Sequence, residues 1–159
     1  MTQLSENFTL EEATYSETAI RLNIDNQPDA TQLANMTFTA SQMELIRAAV
    51  DSPIKINSWL RQPAVNEAVG GVGHSAHMDG FATDSNCSKF ANPLEYAKFV
   101  QDFLGTNGTP FDQIIHEYGS WMHISFAPAA RGMTLTIFHN DQGKKYLTGL
   151  LSQDEYLAA

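Results

Sequence analysis

The segment Ser75-Ala76-His77-Met78-Asp79-Gly80-Phe81-Ala82-Thr83-Asp84 sets an imidazole and a carboxylate seven positions apart. Both are ligand types for a zinc-class ion, and donors to one ion lie within a few ångströms of each other, each about 2 Å from the metal. Seven residues rise about 10 Å on a helix and more than about 20 Å on a strand. The chain between His77 and Asp84 must therefore double back, and Gly80 supplies the backbone freedom to do so. A third ligand has to come from elsewhere. The best donor is His123, in Ser120-Trp121-Met122-His123-Ile124-Ser125-Phe126. Alternation there puts Met122, Ile124 and Phe126 on one face and Trp121, His123 and Ser125 on the other. With the first face in the core, His123 is expected on an exposed face where a site can form.

Two His and one Asp leave a fourth tetrahedral position for water, the arrangement of a catalytic rather than a structural zinc. Zinc brings the pKa of such a water towards about 7, and a nearby carboxylate can take its proton and pass it to a leaving amine. Glu117 is the candidate base. With a three-residue hairpin loop, Gly119 to Trp121, it lies directly opposite His123 at about 5 Å between side chains. A two-residue loop puts the two on opposite faces, so register decides the matter. Arg61 can hold a substrate carboxylate or a developing oxyanion through its forked donors. Together these groups make a coherent mechanism for amide hydrolysis.

Several elements must position them. Thr9 with Glu12 reads as a capping box opening a short helix through about Arg21. Asp25-Asn26-Gln27-Pro28 is a turn or loop. A second helix is expected within 30–50, with Met43, Ile46, Arg47 and Val50 at helical spacing and Ser41 and Glu44 capping its final segment. Pro53 to Ser58 alternates like a half-buried strand that leads to Arg61. Pro63 to Val69 suggests a short helix stopped by Gly70 and Gly71, and residues 70–81 a shaped loop. Asn92-Pro93-Leu94-Glu95 starts a helix to about Leu104 that turns Phe99 and Phe103 inward. Strands near 112–118, 121–126 and 133–139 complete the chain. Helices first and antiparallel strands later predict one α+β domain over residues 1–159.

Composition narrows the function. The 159 residues are 43% hydrophobic and 17% charged, enough for a packed core and against disorder. Nine basic side chains against eighteen acidic ones give a net charge of -9. That balance argues against nucleic acid, whose phosphates demand Lys and Arg, and against a basic membrane or wall anchor. Cys87 is the single cysteine, so neither an intramolecular disulfide nor a thiolate zinc cluster is available. No apolar run approaches the length of a membrane span. The first residues carry no secretory pattern, so synthesis in the cytoplasm is expected, with another route out for any action outside.

Ser75-x-His77-x6-Asp84 with internal Gly80 and Ala82 resembles the S-x-H-x-x-G-x-A-x-D signature of the zinc D-Ala-D-Ala peptidases. That family includes D-Ala-D-Ala carboxypeptidases and dipeptidases and phage L-alanyl-D-glutamate endopeptidases. Ser58-Trp59-Leu60-Arg61, Asn66 and Gly70-Gly71 resemble its S-G-Y-R-S…N…G-G approach, and Trp121-Met122-His123-Ile124-Ser125 its W-V-H-V-S ending. Asn7-Phe8-Thr9-Leu10-Glu11-Glu12 is similar to the start of compact phage and bacterial members, so the likeness runs over roughly 7–139. It implies the hedgehog-type peptidase fold, a small antiparallel sheet flanked by helices. It also implies zinc on His77, Asp84 and His123, with Ser75 and Arg61 contacting substrate or transition state. Many members carry the catalytic carboxylate three residues before the last His, where this chain has Ser120; Glu117, six before, fits the compact subgroup. Trp59 stands where the family usually has Gly, which predicts a reshaped substrate cleft.

Other reactive residues read as structural. His74 lines the loop, His116 alternates away from Glu117, His139 is a strand-end polar residue, and Cys87 is a small buried side chain. Trp121 either lines the cleft or packs, and Asp154 and Glu155 form a solvated end. The expected activity is hydrolysis of peptidoglycan stem peptides by a monomeric zinc enzyme of the phage endolysin kind, released to the cell wall at lysis. The competing expectation is a non-catalytic zinc-binding module of the same fold, with a binding or virion-structural role.

Overall fold

The computed structural model describes residues 1–143 and 145–159. Its first helix opens with the expected capping box. The Thr9 hydroxyl accepts from the Glu12 amide and the Glu12 carboxylate accepts from the Thr9 amide. Helix α1 (Leu10–Thr14) then stops, because Tyr15 is extended and the Ser16 hydroxyl caps a fresh start for α2 (Glu17–Leu22). The single helix expected to Arg21 is thus two. Helix α3 (Ala30–Val50) fills its whole stretch, set by a second capping box between Asp29 and Gln32. Ser41 and Glu44 cap nothing. Ser41 donates to the Phe38 carbonyl, and Glu44 accepts from Ser5 and from both the backbone and side chain of Asn7. That anchor holds Phe8 edge-on to Trp59, with centroids 6.1 Å apart.

Strand β1 (Lys55–Ser58), helix α4 (Pro63–Ala68), strand β2 (Ala82–Asn86) and helix α5 (Pro93–Asn107) follow. Then come β3 (Gln113–Glu117), β4 (Trp121–Ser125), β5 (Met133–Ile137), β6 (Leu147–Thr148) and α6 (Gln153–Ala158). Strand β2, strand β6 and α6 go beyond the expected elements. Asp154 and Glu155, expected as a solvated end, sit in the first turn of α6, where Glu155 completes a capping box with Ser152. The described strands form one sheet in the order β1-β2-β4-β3-β5-β6. All neighbours are antiparallel except β3 and β5. The link from β4 to β5 skips past β3 at one end of the sheet, where Arg131 forks onto Asp112 at 2.9 Å through both Nε and Nη2. The fold is the expected α+β arrangement of a sheet flanked by helices.

Helices α3 and α5 supply the core through Met36, Met43, Ile46, Tyr96, Val100 and Leu104, with Ile114, Met122 and Ile124 from the sheet. Phe99 and Phe103 are half-buried at its margin rather than inside. Among the described residues no helix is long and apolar enough to cross a membrane.

One face of α3 has a second task. Gln32, Asn35 and Thr39, at helical spacing, donate to the carbonyls of Met78, Asp79 and Gly80 at 2.8, 2.9 and 3.0 Å. The Trp59 indole donates to the same Gly80 carbonyl at 3.0 Å. These bonds fix the turn between His77 and Asp84. Gly80 has φ +85, and a Cβ there would stand 2.7 Å from Met36 Cγ and 3.0 Å from the Gln32 carbonyl oxygen. Gly80→Ala therefore combines left-handed strain with overpacking and should cost about 2–4 kcal/mol in urea unfolding. An unchanged midpoint would show that α3 does not clamp the turn.

Candidate metal centre

His77 lies in a single 3-10 turn (Ala76–Met78) that the Ser75 hydroxyl caps by accepting from the His77 amide. Asp84 is central in β2 and pairs directly with His123 in β4. Partners in adjacent strands share a face. The turn clamped by α3 brings the His77 ring over that face, 5.1 Å from the His123 ring. Asp84 Oδ1 is 3.2 Å from His77 Nε2 and 3.0 Å from His123 Nδ1. The ligand atoms of all three residues lie within 4.8 Å of one another. His77, Asp84 and His123 are 1%, 6% and 7% exposed, so the face expected to be open is a buried recess.

The hydrogen bonding fixes what this recess requires. His77 Nδ1 is 2.7 Å from the Trp59 carbonyl oxygen, which can only accept, so the proton sits on Nδ1. Burial pushes the His77 pKa down, and that effect outweighs the attraction of Asp84 for the charged ring. Neutral His77 then aims the Nε2 lone pair at a carboxylate oxygen. Two acceptors facing each other need a cation between them, a proton or a metal ion. Zinc bonds of about 2.0–2.1 Å at the tetrahedral angle separate neighbouring ligand atoms by roughly 3.3 Å, close to the spacings found here. An outer acceptor that orients a ligating ring is the usual support of a metal-bound histidine. The donor set therefore fits a metal ion.

The other expected site residues gather around the same recess, with two adjustments. Glu117 pairs with Trp121 and His123 with Ile115, because the loop is Tyr118 to Ser120. Glu117 is thus a diagonal rather than a direct neighbour of His123, on the same face, with Oε1 3.7 Å from His123 Nδ1. Burial and the Asp84 anion raise its pKa to about 6. The buried Trp121 indole lies near enough to the Glu117 carboxylate to favour its charged form against these effects. Burial also favours a protonated Asp84, but the two imidazoles outweigh it and hold that carboxyl well below the ordinary range. For His123 burial favours the neutral ring, yet the bond to Asp84 and the charges of Asp84 and Glu117 win and raise its pKa.

Arg61 follows β1 and is tied by its amide to the His77 carbonyl at 3.0 Å. Its Nη2 donates to the Ser75 hydroxyl at 3.2 Å, while the buried Nε has no hydrogen-bond partner among the described residues. Burial lowers its pKa against the pull of Asp84 and Glu117. Trp59 lines no cleft surface with its ring. It is fully buried, and its work is to hold the Gly80 turn with its indole and the His77 ring with its carbonyl. His116 packs inward, bonded to the Leu151 carbonyl at 2.9 Å, and Cys87 is buried. His74 is exposed in its loop, and His139 stacks on Tyr118 at 4.2 Å. Surface depressions of 620 and 550 Å³ lie elsewhere, beside the start of α5 and along α1 and α2.

Sequence reasoning missed the clamp on the turn. Its signal was legible: three polar side chains, Gln32, Asn35 and Thr39, in one row on the buried side of α3. The carbonyl of Trp59 left no such trace.

The peptidase M15 family model matches residues 6–125, most of the chain and all three candidate ligands. No curated protein matches. Calorimetric titration of metal-free protein should show one zinc bound by wild type and none by His77→Ala, Asp84→Ala or His123→Ala. Ligating imidazoles must be neutral, so affinity should fall as pH drops, beginning above the ordinary histidine pKa of about 6.5 because that of His123 is raised. Affinity flat from neutral to acid pH would exclude the two imidazoles as ligands.

Proposed function

Because the chain belongs to the peptidase M15 family, we propose that it is a zinc metallopeptidase that hydrolyses peptidoglycan stem peptides. The bond is of the D-Ala-D-Ala carboxypeptidase or L-Ala-D-Glu endopeptidase kind, and the place of action is the cell wall, in the manner of a phage lysis enzyme. The observation that carries the reading is a pair of carboxylates of opposite character around two imidazoles. Asp84 is held ionised, as a ligand must be, and Glu117 is pushed up to about 6, as suits a residue that takes and returns a proton.

His77, Asp84 and His123 would hold the zinc. When bound, the ion supplies an electrophile for the scissile carbonyl and acidifies a water. Glu117 accepts the proton of the attacking water and returns it to the departing amine. Arg61, with Nε free of partners among the described residues and Nη2 on Ser75, holds a substrate carboxylate or the developing oxyanion. Ser75 keeps the guanidinium in place and itself borders the substrate.

The test is mass spectrometry of purified peptidoglycan incubated with zinc-loaded wild type and Glu117→Gln. Wild type should release stem fragments whose masses name the bond. Glu117→Gln should keep its zinc and lose about 100- to 10,000-fold in kcat. Intact stems under wild type, with zinc bound, would favour the non-catalytic binding module. The base works deprotonated, so kcat/KM should rise with pH through an acid limb at or below about 6, since a bound cation draws the Glu117 value down. That limb should vanish in Glu117→Gln.

A further inference from the structure

Tyr146 stands one residue before β6, in a stretch that none of the motifs reaches. Its position follows from the sheet. Leu135 pairs with Thr148 and Thr136 with Leu147, so the same register brings Tyr146 level with Ile137. Ile137 is in turn paired with Glu117. Residues level with one another across adjacent strands share a face, so Glu117, Ile137 and Tyr146 form a row on the face that carries His123. Two strand spacings separate the ends of that row, about 9.5 Å, a span a tyrosine side chain largely covers.

The backbone at this point is held. The preceding carbonyl, of Lys145, accepts from the Tyr156 hydroxyl at 2.6 Å, and the same hydroxyl accepts from Asn140 Nδ2 at 3.1 Å. Tyr146 as a whole remains 45% exposed. Glu117, Asp84 and Arg61 are all close enough to act electrostatically on its phenol, in keeping with the row set by the strand register. Partial burial, together with those anions, keeps it a neutral donor. A half-exposed tyrosine on a held backbone, in the same cross-strand row as Glu117, is placed to meet a substrate.

We propose that Tyr146 positions the substrate by donating a hydrogen bond to a peptide carbonyl oxygen of the stem bound between Glu117 and Arg61. The proposal rests on the stem-peptide reading above. Its probe is the pentapeptide L-Ala-D-Glu-L-Lys-D-Ala-D-Ala, which contains both candidate bonds. Calorimetry would compare zinc-loaded Glu117→Gln, whose slowed turnover leaves the peptide intact over the titration, with Glu117→Gln carrying Tyr146→Phe. Removing one hydroxyl donor should weaken Kd about 3- to 10-fold. In the otherwise wild-type protein, Tyr146→Phe should raise KM by a similar factor, about 3- to 10-fold, with kcat, zinc content and melting temperature unchanged. A tyrosine that merely covers Ile137 would leave both Kd and KM where they were, since Phe covers it equally well. Unchanged Kd and KM in a protein that binds and cleaves the pentapeptide would therefore overturn the role of Tyr146 alone. No binding by the Glu117→Gln parent and no cleavage by wild type would overturn the stem-peptide reading and this inference together.

Discussion

A single buried carboxylate oxygen shared by two imidazoles is the constraint on which the structure turns. Asp84 Oδ1 lies 3.0 Å from one ring nitrogen and 3.2 Å from the other, in a recess that leaves the three residues at most 7% exposed. Ionised or polar groups buried without a partner cost several kcal/mol each. The recess is stable only with a cation among its acceptors, and much of the fold serves to assemble it. The register of β2 on β4 sets Asp84 against His123. The row of Gln32, Asn35 and Thr39 on α3 bends the chain so that His77 returns over them. Glu44 ties down the N-terminal segment, Phe8 packs on Trp59, and Trp59 orients the His77 ring. A chain of contacts thus runs from the first residues to the metal recess.

The electrostatics of the recess separate two neighbouring carboxylates. Asp84 is buried and Glu117 mostly so, and burial alone would raise both. Asp84 escapes because two imidazoles touch it, whereas Glu117 has only the edge of one and faces the Asp84 anion as well. Two neighbouring carboxylates are thus held in different protonation ranges, as the proposed roles of ligand and base require. Arg61 adds a cation that is not committed to either carboxylate by a direct bond. In a chain whose net charge is -9, the positive character of the site is local.

The candidate ligands His77, Asp84 and His123, which the fold brings together, were legible in the sequence because residue type and spacing constrain metal chemistry tightly, and the alternation around His123 fixed its face. The hairpin register was not. The loop proved to be Tyr118 to Ser120, with Tyr118 and Gly119 both in the left-handed region at φ 58 and 65. A tyrosine in that conformation is uncommon, and no turn rule points to it. Its rings of support, His139 and Trp121, come from the fold. Strand β2 was hidden for another reason. Ala82 to Ser85 are buried on both faces and mostly polar, so no apolar alternation marks them. The break between α1 and α2 rests on the extended Tyr15 and Ser16, of which only Ser16 was a readable cap. Tyr146 was invisible because its meaning lies in a row across three strands, with Ile137 in between.

The most direct measurement is the anomalous difference density of a crystal grown with zinc. A peak is expected about 2.0–2.2 Å from each of His77 Nε2, His123 Nδ1 and Asp84 Oδ1, with Glu117 beside it and outside the coordination sphere. A peak on other residues, or none within reach of these three atoms at full zinc loading, would contradict a metal-centred recess and the chemistry derived from it.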